Sequence, residues 1–358
     1  MSLTRHTSPP STQESYIIPQ LEGERITLPG SKGVFRILAS AKQTNNKIAV
    51  FTSGAVLSDA PGFHYHNEAH DVFLVTKGYL KLWNGDQCRI MGPGDFAYVP
   101  PGLEIRLTLI FKRKKVVHNP EMLGPHTEVL GLIAPGDWVD FFRFVSEPFT
   151  GLLVPEFDDR DLKSILMPKI MAAKDRFDVV FQRDYQPPDV SEWTDGENIL
   201  PKPLTPYFLR ANRGPRWMAG GVLSRPFVTT EQTGGKFAIS SIESSKYYGP
   251  TLFSKALTFK DVDHCLCVQE GALVVTLAGK GEETVGEGET VVIPSGQSFG
   301  LGFATRFVRV VSFTSGEGVE ALIQRVGKPY AGFSLPDEAP GFDEGGLEKV
   351  FRELSIER

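Results

Sequence analysis

Along most of this chain apolar and polar positions alternate in short runs closed by Gly, Asn or Pro, the period of half-buried strands. From Tyr16 to about Val145 the pattern predicts strands over residues 34–38, 48–52, 73–76, 79–83, 96–99 and 128–133. The period becomes helical at four places. Residues 137–145 put Trp138, Phe141, Phe142 and Val145 on one side. Residues 162–173 carry apolar side chains at 165, 166, 167, 170 and 171, with Pro168 expected to kink or interrupt the helix. Residues 318–326 and 346–354 read as two further short helices. Leu347, Val350, Phe351 and Leu354 have helical spacing, so the last helix is expected to pack on the core or form the contact of a homodimer.

The strand pattern occurs twice. Residues 272–277, after Gly271, match 79–83 after Gly78. Gly288-Glu-Thr-Val-Val-Ile-Pro-Ser-Gly296 repeats the spacing of Gly94-Asp-Phe-Ala-Tyr-Val-Pro-Pro-Gly102. An internal duplication of this size implies two units of one fold. The expected fold class is all-β, two tandem barrels with a few short helices. The expected division is a disordered arm over 1–15, a first barrel with trailing helices over 16–186, a linker rich in Pro, Asp and Glu over 187–206, and a second barrel with a C-terminal helix over 207–358.

Composition narrows the classes of function. A chain of 358 residues is long enough for two domains, and 36 Gly with 26 Pro favour many short strands over long helices. With 41% hydrophobic and 23% charged residues the composition is globular, and no apolar run approaches a transmembrane length. A net charge of −5 with both signs dispersed argues against a nucleic-acid footprint. The polar start lacks the apolar core of a secretion signal. Cys88, Cys265 and Cys267 do not make a disulfide framework and read as small core hydrophobes. The expected location is the cytoplasm, with neither membrane nor nucleic acid as partner.

The candidate chemistry lies in Gly62-Phe-His-Tyr-His-Asn-Glu-Ala-His-Asp71. His64 and His66 stand two apart, so on a strand both rings leave one face and can share a metal ion. Asp71 lies at an odd offset, so residues 67–70 must turn, and Asp71 would open the next strand facing the imidazoles. These residues and the Gly94–Gly102 block resemble the paired motifs of the cupin superfamily, G-x5-H-x-H-x4-E-x6-G and G-x5-P-x-G-x2-H. The chain departs at Ser58 for the opening Gly, Asp71 for Glu, and Ile105 for the last histidine. Counted from Gly271 as from Gly78, the second unit carries Leu257, Phe259 and His264 at the metal positions and Phe299 at the last histidine. One histidine among three apolar residues cannot hold a metal. His264 is therefore expected to be a hydrogen-bonded core residue and the second barrel structural.

Between Gly102 and Val116 lies a segment ending in Phe-Lys-Arg-Lys-Lys115. Removing residues 103–115 restores P-x-G-x-x-H with His118 as the histidine. The segment would then loop out as a hairpin or flap. Alternatively Ile105 truly replaces the ligand, leaving a three-ligand or empty site, or the segment is translated intron sequence. His126 is the second candidate for the fourth ligand.

Three imidazoles and a carboxylate make a site of borderline softness for one divalent transition metal ion per chain. Cu, Fe, Mn, Ni and Zn all suit it. Asp71 can also accept a proton from a bound hydroxyl, which makes it the candidate general base. Phe73 and Val75 share the parity of Asp71, and Phe96 and Tyr98 share one on their own strand; all four are candidates to line a substrate pocket, with core packing the alternative. The whole pattern, together with 16–25 and 131–142, resembles the fungal quercetinases. That resemblance implies His64, His66 and His118 as ligands, Asp71 as ligand and base, and cleavage of a flavonol or related enolisable aromatic by O2 with release of CO. The competing expectation is a metal-free bicupin that binds a small molecule or serves a structural role.

Overall fold

The computed structural model describes residues 3–58, 62–107, 110–155, 158–173, 176–342 and 344–358. It is mostly β, with four short α-helices among the described residues. The chain forms two compact units, Glu24–Ala41 with Ile48–Arg213, and Met1–Gly23 with Lys42–Lys47 and Gly214–Arg358.

In the first unit an eight-stranded and a five-stranded sheet face one another. The alternation along His70–Lys77 is that of a strand with two buried faces. It lies between Thr127–Ala134 and Phe96–Val99, both antiparallel. The smaller sheet carries His64–Tyr65, His118–Met122 and Leu80–Asn84 side by side. Gly78 makes the turn between the two sheets. Its φ is +69°, and an added Cβ would stand 2.3 Å from the His126 carbonyl, so only glycine fits. The helices Asp140–Val145 and Leu162–Ala173 lie where the periodicity predicts. Pro168 does not end the second one.

The second unit repeats the plan with a nine-stranded and a five-stranded sheet. Its core joins both sheets to the helices Val319–Val326 and Leu347–Glu353.

Two boundaries differ from the sequence expectation. Residues 1–15 are not a free arm: Thr4–Arg5 pairs with Tyr16–Pro19, and that strand pairs with Glu289–Ile293 in the second unit. Likewise Tyr207–Leu209 pairs with Phe96–Val99, so the first unit continues past the expected linker to Arg213. The reason is the same in both: Phe96–Val99 and Glu289–Ile293 each have one side open to a further strand. The segment just before the next barrel supplies its missing hydrogen bonds. Tyr16, Ile17 and Ile18 are completely buried there.

The insertion after Gly102 forms a hairpin, Leu103–Leu107 against Ile110–Lys114, that pairs only with itself among the described residues. No described helix is long and apolar enough to cross a membrane.

Candidate metal centre and cavity

Three strands and one turn bring the candidate ligands together. His64 and His118 are direct cross-strand partners, so their rings leave the sheet side by side with centroids 4.2 Å apart. His66 follows on the same face, 5.1 Å from His118. Asp71 enters from the larger sheet. Its Oδ2 lies 3.1 Å from Nε2 of both His66 and His118. One donor atom from each of the four residues falls within 4.8 Å of the others, and all four side chains are buried. Ile105 stands opposite Lys112 in the hairpin, and His126 pairs with Glu128 at 2.8 Å outside this cluster.

The tautomers are set from behind. Carbonyl oxygens only accept, so Nδ1 of His64 donates to Gly62 at 2.7 Å, and Nδ1 of His66 donates to Asp178. His118 directs Nδ1 at the Val116 carbonyl, 3.4 Å away. Nε2 of each ring is left for the centre, the arrangement by which outer partners orient metal-binding histidines. Asp71 keeps a buried Oδ1 without a hydrogen-bond partner. An orphaned carboxylate oxygen beside three inward-facing Nε2 atoms suits a divalent ion such as Zn, Cu, Fe, Mn or Ni.

The charges are strongly coupled. Burial alone would raise the Asp71 carboxyl, but the charge on His66 and hydrogen bonds from His118 and His66 hold it far below its ordinary value. Burial, with His118 and His66 as neighbouring cations, pushes His64 well down. It also lowers His118, against the pull of Asp71. Burial opposes the cation of His66 too, yet Asp71 and the Asp178 carbonyl outweigh it and raise this ring.

A cavity opens from His64, Asp71 and His118. Phe73, Phe51 and Phe35 line the large-sheet side, Trp138, Phe141 and Phe142 the helical side, and Phe181 closes over His64 with ring centroids 5.6 Å apart. Three serines, Ser31, Ser53 and Ser58, are the other polar side chains in its wall, and no Lys or Arg among the described residues reaches it. Gly131 faces Phe73 across the sheet, and a Cβ there would meet the Phe51 ring at 2.3 Å, so this glycine leaves room for that ring.

Of the residues expected to line the pocket, only Phe73 does. Val75 packs with Leu80, Leu82, Met91 and Phe208 instead. Phe96 and Tyr98 point the other way, because Asp71 pairs with Val99 and Phe73 with Ala97, which puts Phe96 and Tyr98 on the opposite face. Tyr98 there bonds His70 at 2.8 Å. Sequence reasoning did not single out Asp178 or Phe181. The cluster Trp138, Phe141, Phe142 was visible as a helical face, though not as a cavity wall, whereas nothing local marks Asp178.

In the second unit Leu257 and Phe299 are cross-strand partners as His64 and His118 are in the first. His264 sits between Phe259 and Phe299, with centroids at 4.7 and 5.1 Å. The hydrogen bond expected of it is at most a poorly aligned one to the Val262 carbonyl, because neither buried ring nitrogen has a partner of good hydrogen-bond geometry. Burial pushes this ring down to about 3, and the Val262 carbonyl opposes the shift only in part.

Residues 57–110 match the cupin domain family. Quercetin 2,3-dioxygenase of Aspergillus japonicus is 24% identical over 334 residues, 85% of this chain and 90% of that protein. Quercetin 2,3-dioxygenase of Bacillus subtilis (strain 168) is 28% identical over 153 residues, 43% of this chain and 41% of that protein. Among solved structures, oxalate decarboxylase from Bacillus subtilis aligns with a TM-score of 0.48 at 13% identity, over 86% of this chain and 77% of that one. The cupin match is thus confined to part of the first unit, and the similarity of the chain to the quercetin 2,3-dioxygenases is distant.

Proposed function

We propose that this chain is a metal-dependent dioxygenase that opens a flavonol or a related enolisable aromatic. The observation that carries the reading is the buried set of three Nε2 atoms and one carboxylate at the inner end of an aromatic cavity. The distant quercetinase similarity supports it along most of the chain. A bound divalent ion would supply Lewis acidity toward a substrate oxygen and open positions for O2. His64, His66 and His118 would hold it. The aromatic walls exclude water and orient a flat ring against Phe181 and Trp138. Asp71 stays ionised, and its Oδ1 is free to accept a substrate hydroxyl proton. With an ion bound, Asp71 would be held ionised still more firmly, and a bound substrate hydroxyl would be more acidic, which eases the proton's transfer to Oδ1.

The test is oxygen uptake and CO release by protein loaded separately with Cu, Fe, Mn, Ni or Zn, across a panel of flavonols and simpler enolisable aromatics. Uptake at background with every metal, at full occupancy, would end the dioxygenase reading. A second reading, metal-free binding of a small aromatic, draws on the hydrogen bonds that Asp71 already makes to His66 and His118, which balance the cluster without an ion. Elemental analysis of protein purified without added metal separates the two.

A further inference from the structure

The turn between His66 and Asp71 is held by one residue from a distant part of the chain. The backbone N–H groups of Asn67, Glu68 and Ala69 all donate to the Asp178 carboxylate, at 2.8, 2.7 and 2.9 Å. The side-chain amide of Asn67 adds a fourth bond at 3.0 Å. The main-chain carbonyl of Asp178 accepts from the His66 ring and, at 2.9 Å, from the Trp138 indole. Just beyond it, Val179 and Phe181 enter the cavity wall, and Phe181 pairs with His64. The carboxylate thus fixes the height of the turn while the carbonyl fixes the ring of the ligand that precedes it. Bonds to an ionised acceptor are the stronger kind, and four converge here.

We propose that Asp178 is a positioning residue of the metal centre: it sets the ring orientation of His66 and the spacing of His66 and Asp71 by clamping the intervening turn. The inference rests on reading the cluster as a metal centre. Removing the carboxylate frees the turn, and the carbonyl that orients His66 moves with it.

The experiment compares wild type, Asp178→Ala and Asp178→Asn with Asp158→Ala, which removes a carboxylate bonded to the Gly30 N–H and to Arg160. The full chain is loaded with Cu(II) or Co(II). Affinity is read by chelator competition, geometry by EPR and visible spectra, and folding by melting. Outer-partner losses at metal sites weaken binding about 10- to 100-fold. Asp178→Ala should fall in that range with an altered spectrum. Asp178→Asn, which keeps one acceptor oxygen, should lie between it and wild type, and it carries the test should Asp178→Ala not fold. Asp158→Ala should keep the wild-type spectrum and affinity, whatever it costs in melting temperature. Wild-type affinity and spectrum in the Asp178 variants would overturn the proposal. In metal-free protein the 15N resonances of the His66 ring give an independent reading, a protonated Nδ1 in wild type that shifts in the variants. If wild type takes up no metal while that shift occurs, the metal-centre reading fails and the positioning of His66 stands. An unchanged His66 resonance overturns the positioning role even if metal binds.

Discussion

The two barrels solve the same packing problem with opposite chemistry. His64 pairs with His118, and His118 with Asn84; in the second barrel Leu257 pairs with Phe299, and Phe299 with Leu277. The register is identical, so the backbone brings four side chains to one point whatever they are. In the first barrel these are three imidazoles and a carboxylate within 4.8 Å. In the second, Phe259 and Phe299 stack at 5.9 Å around His264. The comparison teaches that the barrel does not depend on a metal to close its core. Apolar rings fill the space about as well, and the first barrel gives up that burial for a buried polar cluster.

The largest expected effect is a direct break of this contrast. His64→Ala, His66→Ala or His118→Ala should each weaken metal binding by about 100-fold or more, since no other ligand can replace the lost bond. His264→Ala should leave it unchanged. Titration should show one ion per chain, and equal occupancy of both barrels would refute the contrast. The reverse construction sharpens it. Leu257→His, Phe259→His, His264→Asp and Phe299→His together copy the first cluster onto the second register. The combined variant should bind a second ion and melt lower without metal, because buried apolar rings are exchanged for polar groups. A folded variant that still binds one ion would mean that register alone does not make the site.

A middle-sized effect separates the barrels by pH. Glu320 is buried in the second unit, where its Oε1 accepts from Thr314 at 3.0 Å and from the Gly318 N–H at 2.9 Å, while Oε2 has no partner. Burial pushes its carboxyl up to about 7 from an ordinary 4.5. The folded state thus favours the protonated acid, so this stabilisation is complete below pH 4.5 and is lost as pH rises through 7. The loss is about 3 kcal/mol by linkage. His264 acts in the other direction. Its ring is pushed down from 6.5 to about 3, so stability is complete above 6.5 and falls as pH drops toward 3. Hydrogen exchange of Val308–Thr314 across pH should show both slopes. Glu320→Gln should flatten the alkaline one and His264→Phe the acid one. Unaltered slopes in both variants would remove the linkage.

Much of this was legible in the sequence, and the rest was hidden for physical reasons. The spacing of His64, His66, Gly78, Gly94 and Gly102 exposed the barrel and its duplication, because glycine at positive φ and same-face histidines are local requirements. Strand partners are not local. Tyr16–Pro19 looks like any buried strand, and nothing in its period says that Glu289–Ile293 will receive it. The same gap misdirected Tyr98: its parity along the strand was plain, but facing Asp71 or turning away depends on register with His70–Lys77. Asp178 was missed because its role lies in six N–H groups donated from elsewhere in the chain.

The smallest expected effect concerns the insertion, and the second barrel serves as its control. There the Gly296 N–H donates to the Phe259 carbonyl at 2.8 Å, and after Gln297 and Ser298 the chain reaches Phe299. In the first barrel the Gly102 N–H donates to the His66 carbonyl at the same 2.8 Å, yet His118 is reached only after the hairpin. The two anchors are equivalent, so two residues suffice to span them. Joining Gly102 to Val116 leaves Val116 and Val117 as that span. The hairpin pairs with no other described strand, so its removal breaks no bond of either sheet. Loop closure alone favours the shortened chain by about 1.8 kcal/mol, the logarithmic cost of a 15-residue span against a 2-residue one. The deletion also takes away the Lys115 ammonium, which lies 4.9 Å over the Tyr65 ring, an attraction worth about 0.5–1 kcal/mol at an exposed site. The shortened chain should therefore melt within a few degrees of the full one and keep its metal affinity, with His118→Ala equally damaging in both. A shortened chain that folds but loses its metal would show that the hairpin, absent from the second barrel, holds His118 in the first.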